Sequence, residues 1–122
     1  MTIHYLARRG SLRKLVLTRD GHWVELHVKA VGEDVWSLLT LTGEVGGQPA
    51  RNRCQGPFAS PTAAEAALRN LTSALMTEGF AVPGMTGPVW SLQAQRLARH
   101  IRQDRDANAG NYPFDPGSPL PI

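Results

Sequence analysis

The sequence predicts an α+β domain: a four- to five-stranded antiparallel sheet followed by two helices, in the order ββββαα. Three observations predict it. Asp20-Gly21 sits between two β-compatible runs, the strongest short hairpin signal. Ser60-Pro61 opens a stretch whose apolar residues recur at helical spacing. A second stretch with the same spacing ends before a run rich in proline.

The first hairpin joins residues 12–19 to 22–31. A two-residue turn at Asp20-Gly21 puts Leu17 opposite Val24 and Leu15 opposite Leu26, all on one face. Lys14, Val16 and Thr18 then face His27, Glu25 and Trp23 on the other. The third strand runs from Val35 to Val45. A two-residue turn at Glu33-Asp34 predicts Leu39 opposite Val28 and Leu41 opposite Leu26, extending the Leu15 face. The same register puts Trp36 opposite Val31 and Leu38 opposite Lys29 on the outer face. Gly43 to Pro49 breaks the pattern and reads as a loop. Residues 51–58 return as a polar fourth strand, and Pro57 suits a strand end or edge. Residues 3–7 offer a short additional strand.

The first helix spans residues 61–78. Ser60 supplies a capping hydroxyl and Pro61 the first helical position, with Thr62 to Glu65 as a competing capping box. Ala64, Leu68, Leu71 and Leu75 form one face, and Gly79 supplies the stop. After a loop over residues 82–88, the second helix runs from about Val89 to Arg105, with Trp90, Ala94, Leu97 and Ile101 on one side. Arg96, Arg99 and Arg102 fall on the opposite side, where an amphipathic helix meets water. The chain therefore divides into one α+β domain over residues 1–106 and a Pro/Gly-rich flexible tail over 107–122. Within the tail, Tyr112 and Phe114 stand among prolines and suit either a disordered end or a docking peptide.

A chain of 122 residues with 42% apolar and 19% charged residues is long enough for a core and too apolar for general disorder. No stretch approaches a membrane span, and the N-terminus carries its charge after its apolar residues, the wrong order for a secretory signal. A single cysteine, Cys54, forms no internal disulfide, so a cytoplasmic location is expected. The net charge is only +3, yet 11 of the 13 basic residues are arginine. Their excess lies in residues 1–20 and at Arg51 and Arg53. Arg8, Arg9, Arg13, Arg51 and Arg53 are the phosphate-contact candidates of a nucleic-acid reading.

The outer sheet face presents Trp23, His27, Val31, Trp36 and Leu38, too apolar a set for an open surface. The second helix covers it, or it is a protein-binding or homodimer patch, or it stacks nucleobases. Chemistry finds less support. His22 and His27 point to opposite faces, and no Cys or His pair has metal-ligand spacing. Nothing orients a base toward Cys54, carboxylates are scattered, and there is no phosphate-binding glycine loop. Neither an enzymatic activity nor a cofactor is expected.

Residues 42–48 (Thr-Gly-Glu-Val-Gly-Gly-Gln) and the stretch from Gly56 to Leu68 resemble the WGR domain over residues 22–80. Gly43, Gly46 and Gln48 match that family's turn. Thr42 stands where the family has Trp, and Glu44 where it has the Arg that contacts DNA. The resemblance implies a twisted antiparallel sheet in a nucleic-acid or protein-contact module without catalysis of its own. The resulting expectation is a small non-enzymatic binding protein: a protein-interaction module or inhibitor of the kind mobile elements encode, acting on a protein partner or on a second copy of itself. The alternative is a nucleic-acid-binding accessory domain using the arginine-rich surface.

Overall fold

The structure is a computed structural model that describes residues 13–84 and 87–107. Four antiparallel strands form one sheet in sequence order, β1 (Lys14–Arg19), β2 (His22–Gly32), β3 (Val35–Glu44) and β4 (Pro49–Phe58). Helices α1 (Pro61–Thr77) and α2 (Ser91–Ala107) follow. The α+β class and the order ββββαα hold. The suggested strand at residues 3–7 and the tail beyond residue 107 lie outside the described residues.

The first hairpin has the predicted register throughout, from Lys14 opposite His27 to Arg19 opposite His22. Asp20 and Gly21 both take positive φ, 48° and 83°, the geometry a two-residue hairpin turn needs to match strand twist. Leu15, Leu17, Val24, Leu26 and Val28 face α1. There they meet Ala64, Leu68 and Leu75 of the helix and Phe80 just beyond it. Each leucine buried this way contributes roughly 1.5–3 kcal/mol of transfer free energy. Ser60 caps α1, its Oγ accepting the Ala63 N–H at 3.1 Å. The competing box does not form, because the helix already starts at Pro61 with Ser60 as its cap; Glu65 lies 3.4 Å from Arg13.

The second hairpin departs from expectation. Gly32 pairs Val35 across the Glu33-Asp34 turn, but Val31 is bulged and the next pair is Ala30 with Trp36. Every partner beyond it shifts by one residue, to Val28 opposite Leu38 and Leu26 opposite Thr40. One residue of shift exchanges the faces of β3. Leu38 and Trp36 join the α1 side, not the outer face. Leu39 and Leu41 go to the α2 side, not the Leu15 face. Residues 35–41 are apolar at both parities, so alternation does not choose between the registers.

The shift gives each helix an apolar bed. Under α2 lie Val16, Trp23 and Leu41 against Trp90 and Ala94, and Val31 and Leu39 against Ala98 and Ile101. Both sheet faces are thereby closed by the chain's own helices.

Candidate functional site

Closure by α2 corrects the expected interaction face. Trp23, His27 and Val31 lie beneath α2 and Leu38 lies on the α1 side, all buried. Trp36 is half-buried, with the Arg13 guanidinium 4.8 Å from its ring centroid. These five residues share no open patch. They are split between two cores because the bulge at Val31 moves β3 by one.

At the centre of the α2 side is a carboxylate. Glu25, on the same outer face as Trp23 and His27, is fully buried. Trp23 Nε1–H donates to its Oε2 at 2.8 Å, and His27 Nε2 lies 2.9 Å from its Oε1. A carboxylate only accepts, so that histidine nitrogen carries a proton. The backbone N–H of Val89 donates to Oε2 at 2.6 Å, and that of Trp90 reaches both oxygens at 3.0 and 3.1 Å. Both amides lead into α2, so a strand carboxylate caps a helix 64 residues away and meets the positive end of its dipole. Burial pushes the Glu25 carboxyl up, but the bonds from His27, Trp23, Val89 and Trp90 together outweigh burial and hold it below its ordinary value. A glutamate between Trp23 and His27, on a strand otherwise apolar at that depth, is the sequence signal for this anchor.

The β3–β4 loop completes the anchorage. Trp90 packs edge-on against Trp23 at 6.4 Å between centroids, and its Nε1–H donates to Gly47 O at 3.0 Å. Gly43 lies under that indole: a Cβ there would sit 2.9 Å from Trp90 Cη2 and 2.7 Å from Gln48 O. Gln48 bonds Gln93 of α2 at 3.1 Å. In this fold Gly43 and Gln48, two residues of the WGR-like pattern, hold α2.

The α1 side keeps an opening. A cleft of about 350 Å³ lies where the strands run past the end of α1. Its floor is His22, Trp23, Val24, Thr42, Gly43 and Glu44, and its walls are Ala50 and Arg51 of β4 opposite Arg19, Glu78 and Phe80. Arg19 is held in place by the end of α1. Its guanidinium stacks 4.9 Å from the Phe80 centroid and Nη1–H donates to Glu78 O. Its Nε is buried and has no hydrogen-bond partner among the described residues.

Register puts Arg51 and Arg53 on the same α1-facing side of edge strand β4, opposite Thr42 and Thr40. A second hollow, at the start of β1, gathers Arg13, Lys14, His27, Lys29 and Trp36 around Val28 and Ala30. Arg8 and Arg9 lie outside the described residues. Arg96, Arg99 and Arg102 are exposed along α2. Cys54 packs against the Val31, Leu39 and Ile101 cluster, and burial pushes its thiol up to about 11. Among the described residues, no three His, Cys, Asp or Glu side chains are grouped to hold a metal, and no helix is long and apolar enough to cross a membrane.

The family model of the PA4575-like protein matches residues 1–118. The chain belongs to the PA4575-like family. The match takes in both helices, the whole sheet and the cleft residues. No curated protein and no solved structure matches it.

Proposed function

We propose that this PA4575-like chain is a small non-catalytic binding module that engages a partner protein on the α1 side of its sheet, around the cleft between α1 and β4. The observation that carries this reading is the cleft itself. With both sheet faces closed, it is a concave surface where a pre-ordered cation, Arg19, faces a second one, Arg51, across strands β2 and β3. The reactive groups have structural roles: buried Glu25 accepts from four donor groups, and half-buried Cys54 keeps its thiol protonated. That supports binding over catalysis.

A second reading, nucleic-acid binding, is favoured by the hollow where Arg13, Lys14 and Lys29 surround Trp36. Cations beside an aromatic ring suit phosphates and a stacked base.

One experiment weighs the two. Affinity capture with the wild-type chain and with Arg51→Glu as baits is run beside fluorescence anisotropy on labelled single-stranded DNA, duplex DNA and RNA at two salt concentrations. The proposal expects a protein captured by the wild type, lost with the variant, and then confirmed by titration of the purified partner. Nucleic-acid affinity that falls steeply with salt, with no such partner, overturns it in favour of the second reading.

A further inference from the structure

We infer that the cleft beside the end of α1 is a recognition subsite for a single organic carboxylate carrying an apolar body. This deepens the proposed reading of the cleft and rests on it for the site but not for the kind of partner. Stacking on Phe80 and the bond to Glu78 O fix the Arg19 guanidinium, so little side-chain freedom is lost when it grips an anion. Its other N–H groups have no partner among the described residues. The planar guanidinium fork matches a carboxylate in two parallel hydrogen bonds. Arg51 stands on the opposite wall, and the hydroxyl-bearing Thr42 is its cross-strand neighbour on the floor.

The charge inventory narrows the ligand. Glu44 and Glu78 line the same cleft as Arg19 and Arg51, so among the described residues the formal charges of its lining balance, His22 aside. A polyanion gains no net field there, whereas one carboxylate placed between the two guanidinium groups meets opposite charge locally. The cleft lining is more apolar than polar, which suits the rest of the ligand, with Val24 and Phe80 buried behind it. The cleft volume of about 350 Å³ falls within the roughly 300–1,000 Å³ range of small-ligand sites. A free aryl acid and the C-terminus of a partner chain present the same chemistry.

The test is titration of the full ¹⁵N-labelled chain with phenylacetate, with phenylacetamide as the neutral control. A tripeptide ending in phenylalanine, as the free acid and as the amide, forms the second arm. Saturable shifts at the amides of Arg19, His22, Thr42 and Arg51 are expected with the acids. The amides, and Arg51→Gln titrated with the acids, are expected to bind at least tenfold more weakly. Arg19→Gln is a weaker probe because Arg19 also braces the α1 end, so Arg51→Gln decides. Preference for the peptide acid marks a partner's C-terminus, and equal or tighter binding of phenylacetate marks a free small molecule. Amides that bind as well as acids, shifts elsewhere, or no response at millimolar ligand overturn the inference. Acid binding here without a captured protein overturns only the protein-partner reading.

Discussion

Removing the Glu25 carboxylate undocks α2 from the sheet. In Glu25→Ala, the Trp23 indole N–H, the His27 Nε2 proton and the Trp90 backbone N–H lose their acceptor inside the protein, while the Val89 amide lies nearer the surface and can turn to water. Each buried donor left unmade costs about 1–3 kcal/mol, and the Trp90 amide among them is the capped amide of α2. The desolvation cost of the carboxylate is recovered at the same time, which keeps the total below the simple sum. The expected net loss is about 3 kcal/mol, from the buried donors left without an acceptor. Glu25→Gln keeps the volume and one acceptor but turns an NH₂ toward donors, so it should lose about half as much. Urea unfolding followed by far-UV circular dichroism measures both, and amide exchange over residues 91–105 reports whether α2 has come away first. A loss under about 1 kcal/mol for Glu25→Ala, with α2 still protected, would refute the reasoning.

The same carboxylate sets a pH dependence. Its folded pKa lies below its ordinary value of 4.5, so its contribution is fully present above about that pH and is lost as pH falls through the folded value. The stability gap between wild type and Glu25→Gln should therefore narrow from pH 7 toward pH 3, and a constant gap would contradict it. Cys54, with its thiol raised from 9.0 to about 11, holds about a hundredfold less thiolate at pH 8 in the folded chain. Disulfide-exchange reagents should label it at least that much more slowly before urea unfolding than after, and equal rates would show the thiol to be open.

What the sequence discloses here divides along physical lines. The Asp20-Gly21 turn needs positive φ at both positions and the apolar residues beside it alternate cleanly, so that hairpin is legible to the residue. Ser60-Pro61 and Gly79 fix α1 by local chemistry in the same way. The bulge at Val31 is not local. It is selected because it sends Leu39 and Leu41 to α2 and Leu38 and Trp36 to α1, a choice visible only when both helices are in place. That single residue also accounts for the misassigned outer face. Glu25 was hidden for a related reason. A carboxylate on a strand reads as solvated until the backbone amides ahead of a helix far along the chain arrive to bind it. The cleft depends on residues from all four strands and the end of α1, which no spacing along the chain brings together.

A sheet covered on both sides by helices that come later in the chain has a consequence during synthesis. The four strands are complete at Phe58, but α2 ends at Ala107. At about 5–20 residues per second, a ribosome needs roughly 2–10 s to add the intervening stretch. Throughout that interval the bed of Val16, Trp23, Val31, Leu39 and Leu41 has no lid, and Glu25 has no helix to cap. A meander formed before the last helix emerges exposes that apolar bed to solvent.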